Sequence, residues 1–372
     1  VVPLLLATAT EIAHAQERYG YADTSGTLVI APQFAGAESF ADGLAAIQRE
    51  LGGKWGYIDK LGTVVIEPTF AAAGSFSEGL ARVQTEAGGK FGYIDKSGRM
   101  VIPPMFGEAE TFQHGLALVR EGGKWGIIDT TGTFVVPPQF TSVDWPFVEG
   151  LAGVRIDRKR GYIDTTGKIA IPPVFAQGQR FSNGLALVRL DNHWGYIDKT
   201  GAVVISTQNP GCGSSFSEGL VERFSAEAHK WGYMDKTGRM IIPPVFADAR
   251  PFSEDLALVK IEMGGMYGYV DKTGRVVILP AFFGATRFSE GLAAIQTETD
   301  GKWGYIDKTG TVVIKPQFKR ADSFDAGVAA VQSAKDGKWG YINRSGKFVT
   351  RPQFEEVGMF TEGLAMVAVA AK

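Results

Sequence analysis

The chain has 372 residues, with 48 Gly, 24 Phe and 17 Pro, and its charge is nearly balanced, 38 Lys and Arg against 40 Asp and Glu. That balance gives no concentrated positive field, so nucleic acid is excluded as an expected partner. The single cysteine, Cys212, rules out an intramolecular disulfide and any multi-cysteine metal site.

Residues 1–15 read as the remnant of a signal peptide, because an apolar run from Val1 to Ala9 precedes the small-residue pattern Ala13, His14, Ala15. The other reading is a first β-strand packed on the array. The remnant sets the expectation of a secreted or periplasmic protein. No later apolar run approaches the roughly 18 residues of a membrane span.

Residues 16–372 read as one repeat array whose ten units start at 19, 55, 91, 125, 160, 194, 231, 267, 303 and 339. A fixed period of about 36 residues signals one supersecondary unit stacked repeatedly. In the unit headed by Trp303, a strand to Asp307 meets the turn Asp307-Lys308-Thr309-Gly310, and a second strand from Thr311 to Lys315 stops at Pro316. Asp first and Gly last is the chemistry of a type I turn followed by a left-handed residue. Proline at 32, 68, 104, 138, 173, 244, 280, 316 and 352 ends the second strand, since it cannot donate to a ladder. A connecting segment marked by Phe318 and Phe324 follows, and a third strand opens on a Gly-Leu step such as Gly291-Leu292. Each unit is thus expected to be a three-stranded antiparallel meander with a looser fourth segment.

Alternation places Trp303, Tyr305 and Asp307 on one face and Gly304 and Ile306 on the other, with apolar side chains on both. A sheet apolar on both faces is covered on both, so neighbouring units stack sheet upon sheet. The glycine beside the aromatic is expected to admit the adjacent sheet, with the head ring filling the space between. The predicted fold is all-β: ten antiparallel three-stranded units in an open or superhelical solenoid of propeller-blade-like sheets, with a closed β-propeller as the alternative.

The string GKWGYIDKTG, followed by VVI, Pro and later FSEGLA, resembles the bacterial WG-repeat (KWG repeat) family over nearly the whole chain, from Tyr19 to about Val369. That resemblance implies a repeat scaffold and carries over no catalytic residue.

The recurring turn aspartates, Asp59, Asp95, Asp129, Asp164, Asp198, Asp235, Asp271 and Asp307, read as turn caps rather than calcium ligands, because each unit supplies one carboxylate that its own turn uses. His14, His114, His193 and His229 fall at unrelated repeat positions, and no zincin, serine-hydrolase or P-loop string occurs. No cofactor or metal is expected, and no enzyme. The acids of the Ser-Glu-Gly step, Glu78, Glu218 and Glu290, read as solvated turn positions. Tyr57, Tyr93 and Tyr305 are candidates for a shallow glycan-stacking groove if their rings reach solvent, although inter-sheet core is the leading reading.

The breaks in the repeat concentrate in units four to six. Arg160 replaces the head aromatic inside the basic run Arg155, Arg158, Lys159, Arg160; Trp145 is inserted just before it; and the loop carrying Asn209 and Cys212 replaces the usual Pro and Phe. These seven residues are the candidate partner-binding set, against a bland reading of tolerated variation on a redundant scaffold. The expected function is a non-catalytic extracytoplasmic scaffold for a protein or cell-envelope partner. A glycan-binding module built on exposed aromatics, or a propeller-type glycoside hydrolase with two inward carboxylates, are the alternatives.

Overall fold

The computed structural model describes residues 17–191, 193–207 and 215–370. The expected signal remnant, Asn209 and Cys212 lie outside the described residues. All regular structure among those residues is β-strand, arranged as small antiparallel sheets, none of which is closed into a barrel.

The local chemistry follows the expected pattern. Asp307 Oδ1 accepts the backbone N–H groups of Thr309 and Thr311 and the hydroxyl of Thr309, while Gly310 sits at φ +86° and so takes the left-handed position of the turn. The second strand does not pair evenly with the first. Trp303 stands opposite Phe318 and Tyr305 opposite Ile314, so two extra residues bulge around Pro316. In the nine blades that carry it, this bulge explains the glycine after the head residue. A Cβ on Gly304 would run into the Ile314 carbonyl oxygen and stand 2.6 Å from Pro316 N. The glycine therefore admits the bulge of its own partner strand, not the neighbouring sheet, which corrects the expectation. In the other sheets the bulged, proline-bearing strand forms the outer edge and resists edge-to-edge pairing, while Val312–Ala321 runs on past its bulge to pair with Val328–Ser333 of the next blade. Val203–Thr207, which lacks the proline, pairs with Trp194–Ile197 in nearly even register.

The sheets are offset from the sequence units. In each sheet the third strand of one unit pairs with the first strand of the next, as Leu44–Gln48 does with Trp55–Asp59, and the second strand of that next unit completes the outer edge. A two-residue strand such as Gly36–Ala37 supplies the fourth, looser member. The hydrogen-bonded meander thus straddles the unit boundary instead of lying within one unit, because a short hairpin of only two to six residues links the third strand to the following aromatic-Gly strand. We number these sheets as blades 1 to 10 by the unit whose head aromatic they contain.

Blade 1 holds both ends of the described chain: Glu17–Asp23 pairs along its whole length with Leu364–Ala370. Each junction between successive blades carries its own apolar cluster, and blade 10 meets blade 1 through Val328, Tyr341 and Phe354 packed against Ala22, Ala365 and Val367. Of the two arrangements open to an array of blades, the strand pairing describes the closed one. The packing between successive blades brings the last third strand back to the first aromatic-Gly strand, where it finds the partner that every other blade has.

The junctions confirm the two-sided faces. Leu292, Ala294, Tyr305 and Ile314 pack toward blade 10, while Ala293, Ile295 and Ile306 pack toward blade 8. The fully buried ring is not the head aromatic, which is half-buried, but the tyrosine two residues on. Tyr305 packs edge-on against Phe324 with centroids 5.0 Å apart, and its hydroxyl donates to the Asp322 carbonyl at 2.7 Å. Burial with a satisfied hydroxyl pushes the phenol far above its ordinary pKa of about 10.

Candidate functional site

Every blade begins its third strand with a two-residue turn whose first residue has positive φ, as in Glu290 (φ 51°) followed by Gly291 (φ 77°). The carboxylates at this step are not simply solvated. Glu254 accepts the Gly291 N–H of the next blade at 2.9 Å and an ion pair from Lys308 at 3.2 Å. The same clasp recurs between Asp42 and Gly79 with Lys96, between Glu149 and Gly184 with Lys199, and between Glu362 and Gly43 with Lys60. The Lys96 and Lys60 bonds hold the carboxyls of Asp42 and Glu362 below their usual range. A rim of reciprocal turns thus links the blades in register, and the sequence signal for it was the Glu-Gly step repeated at the lysine of the Asp-Lys-Thr-Gly turn. At Ala326 the carboxylate is missing, and the facing position in blade 1 is Thr24 instead of lysine.

The irregular units resolve into distinct roles. Blade 4 carries Ile127 where nine other blades carry the buried tyrosine. Its junction with blade 5 would lack the ring that packs on the recurrent phenylalanine, and Trp145 supplies it. The Trp145 and Phe147 centroids lie 5.0 Å apart at 63°, matching the tyrosine–phenylalanine pairs, such as 4.8 Å and 62° for Tyr57 and Phe76. Trp145 Nε1 donates to the Thr111 carbonyl at 3.1 Å. Trp145 therefore has a packing role at the one junction that needs it.

Arg160 is buried, and its guanidinium pairs with Asp144 and lies 5.3 Å from the centroid of the Tyr162 ring. Glycines make room for it: a Cβ on Gly153 would collide with the guanidinium, and one on Gly178 would sit 2.9 Å from Arg160 Cδ. The Arg160 charge is thus committed internally. Arg158 and Lys159 stand exposed at the tip of the hairpin joining Leu151–Ile156 to Lys159–Asp164, with Arg155 half-buried behind them. Among the described residues no carboxylate pairs with Arg155, Arg158 or Lys159. The expected single patch of Trp145, Arg158 and Arg160 separates into two packed residues and one exposed basic tip.

Tyr57, Tyr93 and Tyr305 are fully buried, so they offer no stacking face. Among the described residues no three His, Cys, Asp or Glu side chains come together as a metal site, and no helix is long and apolar enough to cross a membrane. Sequence reading missed Glu222, whose third-strand position holds Ala, Leu, Gly or Arg in most other units. Its Oε2 is buried without a hydrogen-bond partner, and burial pushes its carboxyl up against the opposing pull of Arg250 and Arg287. Beyond it an open groove of about 620 Å³ runs past Arg250, Tyr267, Thr286, Arg287 and Ser323.

Among solved structures, the chain is similar to a eukaryotic initiation factor at 11% identity, with a TM-score of 0.48, over 95% of this chain and 98% of that one. It is also similar to Hsv2 of Kluyveromyces lactis, at 9% identity and a TM-score of 0.36 over 62% of this chain and 90% of that one. A third similar structure is the dihydro-heme d1 dehydrogenase NirN in complex with DHE, at 12% identity and a TM-score of 0.39 over 88% of this chain and 77% of that one. No curated protein matches the sequence. The model of the WG containing repeat matches ten successive segments, 19–55, 55–88, 91–125, 125–159, 161–193, 194–221, 231–262, 267–303, 303–339 and 339–372. With those segments spanning the described blades from first to last, the chain belongs to the WG-repeat family.

Proposed function

We propose that this chain is a non-catalytic scaffold that binds a protein or cell-envelope partner outside the cytoplasm through the variable hairpin tips of its blades. The observation that carries this reading is the tip at Asp157 and Arg158, where Arg158 and Lys159 project cations that neither packing nor ion pairing uses. The recurring polar groups have structural employment instead: turn aspartates cap their own turns, tyrosine hydroxyls bond carbonyls, and rim carboxylates clasp the next blade. Neighbour-only packing lets such tips vary without disturbing the core. The glycan-platform alternative would have to use the half-buried head aromatics, since the tyrosines are enclosed.

The test is retention of isolated envelope material by the full chain, before and after protease treatment of that material. Binding abolished by protease identifies a protein partner, and binding that survives identifies a glycan. Charge reversal at the tip (R158E with K159E) is expected to weaken retention at least tenfold. No retention of either material, or turnover of a panel of chromogenic glycosides, refutes the proposal.

A further inference from the structure

The groove that runs along blades 8 and 9 to Ser323 of blade 10 has a different chemistry from the basic tip of blade 5. Arginine appears in the segment just before the recurrent phenylalanine at three described positions, Arg180, Arg250 and Arg287. Arg180 donates to the Trp145 carbonyl at 2.6 Å, and Arg250 donates to Asp248 at 3.1 Å. Tyr267 also donates to Asp248, at 3.3 Å, so Asp248 is engaged from two sides. Arg287 is exposed, and among the described residues no acceptor lies within hydrogen-bonding distance of its guanidinium.

The surroundings of Arg287 favour one kind of guest. The walls are Pro251, Leu258 and Ala285, which keep water from one side, and the polar groups facing the groove are donors. Thr286 Oγ1 accepts the Ala294 N–H at 3.0 Å, which leaves its own O–H to donate, and Ser323 offers a second hydroxyl. No carboxylate lines the groove. The nearby acids are Asp248, held by Arg250 and Tyr267, Glu222, buried behind Arg250 and Arg287, and the exposed Asp322 that precedes Ser323. A planar guanidinium fork with flanking hydroxyls matches an oxyanion in geometry and charge.

We infer that the groove at Arg250, Thr286, Arg287 and Ser323 is a binding site for an oxyanion, the carboxylate or phosphate group of a small ligand. Arg287 makes the bidentate contact, the two hydroxyls add single bonds, and Arg250, held in place by Asp248, contributes its field. This site is separate from the blade 5 tip and does not depend on the scaffold's partner.

Isothermal titration of the full chain with inorganic phosphate, glucuronate and glucose, at constant ionic strength in chloride, tests the inference. Saturable binding of phosphate alone assigns a phosphate ligand, and of glucuronate alone a carboxylate ligand. Either is expected to weaken at least tenfold in R287Q and severalfold in R287K, which keeps the charge but loses the fork. E222Q removes the competing carboxylate behind the arginines and is expected to tighten binding. Absence of saturable binding, an equal response to glucose, or unchanged affinity in a folded R287Q overturns it. None of these results bears on retention of envelope material, so the site and the scaffold reading fail independently.

Discussion

Trp145 offers the sharpest test of whether the irregular units are adapted for packing or for a partner. Replacing it by alanine removes the edge-on contact with Phe147 at 5.0 Å and the Nε1 bond to the Thr111 carbonyl at 3.1 Å. A deeply buried Phe or Trp truncated to Ala costs about 3–5 kcal/mol. Trp145 is half-buried, so the lower part of that range applies: an aromatic pair worth about 0.5–1.5 kcal/mol, a hydrogen bond worth about 0.5–1.5 kcal/mol, and the apolar area of the partly covered indole. About 2–3 kcal/mol is expected for W145A, read by far-UV circular dichroism in urea to avoid the lost indole fluorescence. Placing the missing tyrosine in the same background, as I127Y with W145A, should recover at least half of that loss, because the repeat's own ring then fills the junction. A W145A protein within about 0.5 kcal/mol of the parent, the usual range for a surface change, refutes the packing account and returns Trp145 to the partner-binding set.

The other predictions concern the turn, the bulge and the rim. Gly304→Ala puts a methyl group against the Ile314 carbonyl and Pro316, and should cost at least about 2 kcal/mol by the overpacking range, measured by the same urea titration; a neutral result would mean the bulge yields freely. The Thr273 hydroxyl and backbone N–H bonds hold the Asp271 carboxyl at about 2, and Ser97 does the same for Asp95, also at about 2. Because these folded values lie below the unfolded value of about 3.9, the stabilisation is complete above pH 4 and is lost as the pH falls toward 2. The urea midpoint should therefore drop across that window, and less steeply in a variant carrying Asp95→Asn and Asp271→Asn; equal slopes would show that the turns are not responsible. Ala326→Glu combined with Thr24→Lys installs the clasp missing between blades 10 and 1, and should add up to about 1 kcal/mol at low salt, fading in high salt as exposed pairs do. No gain at low salt would show that the clasp follows from blade packing instead of supporting it.

The period, the turns and the two-sided faces were legible in the sequence because they are local: Asp307 caps a turn four residues long, and alternation assigns Tyr305 and Ile306 to opposite faces whatever the neighbours do. Family membership follows from the same recurring strings. The sequence also marked units four to six as irregular, but it did not distinguish Trp145, which substitutes for a ring absent 18 residues earlier, from Arg158, which touches nothing of the core. That distinction depends on which side chains meet across a junction, and those partners come from different blades. The role of the glycine after each head aromatic was hidden for a related reason, since the bulge that crowds it forms only when the second strand folds back around its proline. Likewise, Glu254 reads as a solvated turn residue until the next blade brings Gly291 and Lys308 to it. Closure belongs to the tertiary structure altogether. The sequence fixes a third strand lacking an aromatic-Gly partner at one end and an aromatic-Gly strand lacking a third strand at the other. Whether the two meet depends on the angle between successive blades, which is set by how rings such as Tyr341 and Phe354 pack against Ala22 and Val367.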